Sequence, residues 1–283
     1  EIGEKMTVDD IIKGICVNSG NDAAVALAEK IAGSESEFAS RMNAKAQELG
    51  MTNTNYVNAS GMDVDGHHSS ARDIAILSRA ILNRFPQLLE YTGIWSDTLR
   101  GGRTMLANTN KLLKSYQYTT GLKTGTTDNA GYCISATANK DGMQLIAVIM
   151  NAPDANTRFE EAQELLEYGY DNFEVYPALK AGEEFGEVPV EKGAKETEKA
   201  IVDQDVTVVI PKTYSDKIKQ EVVLEEKVAA PVENGTKLGE LILKAGDEVV
   251  ETVDLKAAEG TNKITFFQAI GNVIRAWLSF DFK

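Results

Sequence analysis

The apolar residues of this 283-residue chain change their period part-way along, and that change limits the fold more than any other feature. Early on they recur at three- and four-residue spacing, as on one face of a helix. Ile11, Ile12 and Ile15 form one run, and Ala24, Leu27, Ala28 and Ile31 a second. Phe38, Met42 and Leu49 form a third, ended by Gly50, and Ile74, Leu77, Ala80 and Ile81 a fourth. Three runs are preceded by capping pairs: Thr7 with Asp10, Ser34 with Glu37, and Ser70 with Asp73. Each puts a side-chain acceptor in front of the first free N–H groups of a helix. Asn18-Ser19-Gly20-Asn21 breaks the first run from the second, residues 51–68 read as loop, and Pro86 starts a short helix. Strands follow at Arg103 to Leu106, Tyr132 to Ala138 and Gln144 to Met150, the last a near-continuous apolar run. Thr157 with Glu160 opens one more helix, carrying Phe159, Ala162, Leu165, Leu166 and Tyr170.

Beyond residues 174–182 the period falls to two. Val206, Val208 and Ile210 alternate, as do Leu241 and Leu243, then Val253 and Leu255, with Ala245-Gly246-Asp247 as a hairpin turn. The expected class is α+β. Residues 1–177 form a domain of helices with a small antiparallel sheet, residues 178–262 a small all-β domain, and residues 263–283 an amphipathic helix. In that helix Phe267, Ile270, Ile274, Trp277 and Leu278 share a face, while Gln268, Asn272, Arg275 and Ser279 fall elsewhere. The segment is too short and too polar to span a bilayer. It fits a helix lying in a membrane interface or a terminal helix packed on the β domain.

Other classes are excluded by composition. A net charge of −14 would repel a nucleic acid. Two cysteines (Cys16, Cys133) and two adjacent histidines (His67, His68) are too few for a disulfide framework or a metal cluster. The histidines sit in the Gly- and Asp-rich loop, and the cysteines read as small buried apolar residues. No cofactor is called for, no long apolar segment crosses a membrane and no signal peptide heads the chain. The opening Glu1-Ile2-Gly3-Glu4 reads as the interior of a domain.

Two short motifs carry chemistry. Ser19-Gly20-Asn21 lies between two helices, and Lys123-Thr124-Gly125 lies 104 residues later at the start of a strand. Each is weak alone; in this order, with helices before and strands after, the pair is specific. Together they resemble the second and third motifs of the penicillin-binding enzymes, whose first is Ser-x-x-Lys. The Ser-Gly-Asn form resembles the low-molecular-mass D-alanyl-D-alanine carboxypeptidases, serine peptidase family S11. Asn21-Asp22-Ala23-Ala24, Leu49-Gly50-Met51, Ser70-Ala71-Arg72-Asp73, Asn110 with Leu112-Leu113, and Ala130-Gly131-Tyr132 continue the likeness. The resemblance spans essentially the whole chain, its end resembling the family's C-terminal domain and membrane anchor.

The resemblance implies a β-lactamase/transpeptidase-like domain and an acyl-transfer reaction on a D-Ala-D-Ala stem peptide, with β-lactams acylating the same serine. In it Ser19 would relay a proton, Asn21 would hold the substrate amide carbonyl, and Lys123 with Thr124 would anchor the terminal carboxylate. Gly125 would belong to the same substrate-binding stretch, and the N–H of Thr126 would be one oxyanion donor, on a strand edge. Arg158 resembles a family arginine near the carboxylate site; it reads equally as a surface arginine. No serine in the chain is followed three residues later by lysine; Ser69 with Arg72 comes nearest, and arginine cannot serve as a base. The helix with nucleophile and base would then precede residue 1, leaving a large cavity in its absence and making this polypeptide inert by itself. The alternatives are a β-lactamase, which would need a deacylating Glu-Leu-Asn word that is absent, and a non-catalytic cell-wall binding module. The expected partners are peptidoglycan stem peptide, β-lactams, the missing N-terminal segment and a membrane surface. The expected location is peripheral, on the extracytoplasmic face of a bacterial membrane.

Overall fold

Thr7 Oγ1 accepts from Asp10 N at 3.0 Å, and helix α1 (Val8–Asn18) starts there. Ser34 Oγ accepts from Glu37 N at 3.2 Å ahead of α3 (Glu35–Glu48), and Ser70 Oγ from Asp73 N at 3.2 Å ahead of α4 (Ala71–Arg84). Between them α2 (Asn21–Ala32) begins directly after the break at Ser19-Gly20. In this computed structural model residues 3–278 are described, without the side chains of 272, 273 and 275–278. The chain divides into two units, Glu1–Asp171 and Asn172–Lys283.

The first unit continues with a short α5 (Leu89–Thr92), a hairpin of β1 (Ser96–Leu99) and β2 (Thr104–Ala107), and α6 (Leu112–Ser115). A three-stranded antiparallel sheet follows in the order β3 (Thr119–Thr127), β4 (Gly131–Lys140), β5 (Met143–Ala152). Helix α4 packs on β4 and β5, and α7 (Ala155–Asn172) closes the unit. Two sequence expectations shift here. Lys123 lies in the middle of β3 rather than at its start, because Thr119 to Leu122 already pair with β4. Helix α7 opens two residues before Thr157, because Asp154 takes the capping role: its carboxylate accepts from Asn156 N at 2.8 Å and Thr157 N at 3.0 Å.

The second unit is built from short strands. β6 (Phe173–Leu179) pairs with β9 (Val206–Pro211). The six-stranded sheet runs β10 (Ile218–Leu224), β13 (Lys237–Ala245), β14 (Glu248–Ala257), β8 (Thr197–Ile201), β7 (Glu184–Glu191), β11 (Val228–Ala229). β12 (Val232–Glu233) pairs with β15 (Gly260–Thr261). The period-two residues point inward: Val206, Val208, Ile210, Leu241, Leu243 and Leu255 all lie in one buried cluster with Val188, Ala200 and Leu238. α8 (Phe266–Leu278) ends the described chain. Of its expected apolar face, Phe267 is 84% exposed, Ile270 42% and Ile274 51%. The expected face-partners Trp277 and Leu278, and the polar Asn272, Arg275 and Ser279, lie outside the described side chains. No described helix is long and apolar enough to cross a membrane.

Candidate active site

Two secondary-structure breaks deliver the motif residues. Ser19 is the C-cap of α1 in the left-handed conformation (φ 56°), where its own N–H and that of Gly20 bond Gly14 O. That reversal turns the Ser19 hydroxyl toward β3 while Asn21 begins α2. β3 is an edge strand, so one side of its backbone is open to a ligand. Its position is fixed from behind: the buried Asn110 donates to Gly121 O at 2.9 Å and accepts from Leu112 N at 3.1 Å.

The 104-residue separation of the motifs closes in space. Lys123 Nζ donates to Ser19 Oγ at 2.8 Å and to Thr124 O at 2.7 Å. Burial pulls the Lys123 ammonium down to about 8, helped by the charge of Arg158 and opposed by Cys16. Thr124, 7% exposed, shares a 2.5 Å hydrogen bond with the Thr109 hydroxyl. At Gly125 an added Cβ would meet nothing within 4 Å, so the fold does not demand glycine there; its effect is to leave the strand edge bare.

Arg158 is not a surface arginine. It is 5% exposed, because from the first turn of α7 its side chain reaches in to β3 and β4. Its guanidinium donates to Gly125 O (3.2 Å), Thr126 Oγ1 (3.2 Å) and Cys133 O (3.1 Å) and lies over the rings of Phe159 and Tyr132. No described carboxylate pairs with it, and its Nε has no hydrogen-bond partner. A buried cation held only by neutral groups favours an incoming anion. Lys123, Thr124 and Arg158 thus form a positive stretch of the groove along the middle of β3.

Asn21 stands apart from that group. Its Nδ2 donates to Met62 Sδ at 3.4 Å, in the loop between α3 and α4. Sequence reasoning passed over Met62 and its neighbour Asp63, since one methionine in a polar loop carries no pattern. His67 and His68 serve this loop: His67 Nδ1 accepts from Val57 N at 3.2 Å, and His68 Nδ1 lies 2.9 Å from Gly66 O. Cys16 is buried as expected, its thiol pushed up by burial; Cys133 is only part-buried, its sulfur donating to Ala130 O at 3.4 Å. Among the described residues no three His, Cys, Asp or Glu side chains gather as a metal would need.

An apolar cleft of about 410 Å³ opens beside Lys123. Ile74, Leu77 and Ile81 of α4, Leu122 of β3, Val148 of β5 and the buried Cys16 line it. Among its polar lining groups, the Ser78 and Ser135 hydroxyls bond each other at 2.7 Å.

Comparisons with known proteins bear on both units. Residues 1–154 match the family described as D-alanyl-D-alanine carboxypeptidase, and residues 173–263 match the C-terminal domain of penicillin-binding protein 5. The D-alanyl-D-alanine carboxypeptidase DacF of Bacillus subtilis is 35% identical over 99% of this chain and 73% of its own length. Penicillin-binding protein 5 of Haemophilus influenzae superposes with a TM-score of 0.78 at 32% identity, over 92% of this chain and 76% of that one. Penicillin-binding protein D2 of Listeria monocytogenes, solved in a cefotaxime-bound form, gives a TM-score of 0.55 at 38% identity, over 60% of this chain and 69% of that one.

Proposed function

The chain belongs to the D-alanyl-D-alanine carboxypeptidase family, and on that premise we propose that it supplies most of the site of a serine acyl-transfer enzyme that removes the terminal D-alanine from peptidoglycan stem peptides. One observation carries the reading: the 2.8 Å hydrogen bond from Lys123 to Ser19, which joins two motifs 104 residues apart. A D-Ala-D-Ala terminus is an amide with a carboxylate one residue beyond it. The Lys123–Thr124–Arg158 stretch of the groove suits that carboxylate. The Asn21 amide suits the carbonyl on the far side of the scissile bond. Ser19, bonded to a lysine whose proton is loosely held, suits a relay that returns a proton to the departing amine. Bare strand edge at Gly125 and Thr126 suits the acyl carbon and its oxyanion.

The nucleophile and its base lie, in this proposal, on a helix ahead of residue 1. Two observations support it. No serine in the chain has a lysine three residues on. The apolar cleft flanks Lys123, where a helix presenting a serine would bring it to the relay. The present chain alone is then inactive, and β-lactams acylate only the polypeptide that includes the upstream helix. Fluorescent penicillin tests both parts: the longer polypeptide is expected to be labelled covalently and residues 1–283 are not. An unlabelled longer polypeptide at saturating dose would sink the carboxypeptidase reading and favour a non-catalytic wall-binding role. The exposed apolar side chains of α8 further support a peripheral place on the extracytoplasmic membrane surface.

A further inference from the structure

The loop between α3 and α4 is tied down more firmly than a surface connection requires. Asn58 Oδ1 accepts from Gly61 N at 2.7 Å, Asn58 Nδ2 donates to Met62 O at 2.9 Å, and Ala59 N donates to Glu35 Oε1 at 3.0 Å. These bonds fix the backbone at Met62, yet its side chain is 54% exposed. An isolated exposed apolar residue is unremarkable by itself. This one lies against Asn21, its sulfur 3.4 Å from Nδ2. Thioether sulfur is a weak acceptor, so a substrate carbonyl would displace it from the amide without much loss. The next residue, Asp63, accepts from Asn129 N at 3.2 Å, in the turn that follows β3. That bond bridges the two walls of the groove at the β3–β4 turn, beyond Lys123 and Thr124 along the strand.

A donor with its carboxylate at Lys123 and its amide carbonyl on Asn21 runs toward this bridge. The residue preceding the acylated D-alanine then lies beside Met62. From this geometry we propose that Met62 is a specificity-determining residue: its flexible, unbranched side chain is the apolar wall on which that residue's aliphatic stem packs. The Asp63–Asn129 bond keeps the wall in place. The inference rests on the carboxypeptidase reading above. Atom for atom nothing in the reaction changes; only the preference among donors does.

The test uses the polypeptide that includes the upstream segment and two donors, acetyl-norleucyl-D-Ala-D-Ala and acetyl-glycyl-D-Ala-D-Ala, with D-alanine release measured for each. The parent is expected to favour the norleucyl donor in kcat/KM. Met62→Ala is expected to reduce that preference by about tenfold, chiefly through the norleucyl donor's KM. Met62→Leu, which restores the apolar surface, should recover most of it. An active Met62→Ala enzyme with an unchanged ratio would overturn this inference and leave the carboxypeptidase reading intact. Absence of D-alanine release from both donors by the parent would overturn both.

Discussion

Lys123 shows how the site draws on folding energy. Its ammonium is held at about 8 mainly by burial, against an ordinary value of 10.5. Below pH 8 the lysine is charged in both the folded and unfolded chains, and the fold bears the full desolvation cost. Between about 8 and 10.5 the unfolded chain binds more protons than the folded one, so stability rises with pH. Above 10.5 the cost has gone. Each pKa unit corresponds to about 1.4 kcal/mol, so the cost at neutral pH is on the order of 3 kcal/mol. Lys123→Met is therefore expected to raise the melting temperature at pH 7, with the gain shrinking as the pH approaches 10.5. Denaturation of both proteins at a series of pH values checks this; a pH-independent difference would mean that the ammonium is well solvated. Affinity for a substrate carboxylate should run the opposite way, falling as pH rises through 8. The same residue scale shows what the sequence hid. Ser19 and Lys123 stand in recognisable words, but nothing in the local sequence distinguishes a buried arginine from a solvated one at 158. Its partners, Gly125 O and Cys133 O, come from strands 33 and 25 residues away.

Helix termini were legible at the scale of elements, because capping is a local bond between near neighbours. Thr7, Ser34 and Ser70 could be read directly, and their bonds to Asp10, Glu37 and Asp73 follow. Strands were legible where alternation was clean, as in β9 and β13. β7 was missed because Gly186, Pro189 and the outward glutamates dilute two buried valines, Val188 and Val190. The loop that presents Met62 reads in the sequence only as a loop, since its order comes from bonds to α3 and to the β3–β4 turn. Removing residues 264–283 is expected to abolish sedimentation with vesicles of zwitterionic and anionic lipid. Retained binding by the shortened chain would mean that α8 is not the anchor.

Taken as a whole, the molecule has a cored β unit and a helical unit with an open apolar cleft. A dry void of about 410 Å³ would cost on the order of 10 kcal/mol at 24 cal/mol per Å³. An open cleft avoids that penalty by admitting water, at the expense of leaving apolar surface wet. Residues 1–283 are therefore expected to enhance the fluorescence of 8-anilinonaphthalene sulfonate while retaining a folded near-ultraviolet circular dichroism spectrum. The polypeptide with the upstream segment should enhance it much less. Equal enhancement by the two would show that the segment does not fill the cleft.

Ser19 has a second consequence, one of phase. It ends α1 and, in the same left-handed step, faces Lys123. Each residue of a helix turns the chain by about 100°. One residue inserted into or deleted from α1 would therefore swing the hydroxyl a quarter-turn or more off the lysine, even with every contact of β3 unaltered. The helix works as a ruler whose last mark is the serine, so its length between Thr7 and Ser19 should tolerate substitutions far better than insertions or deletions.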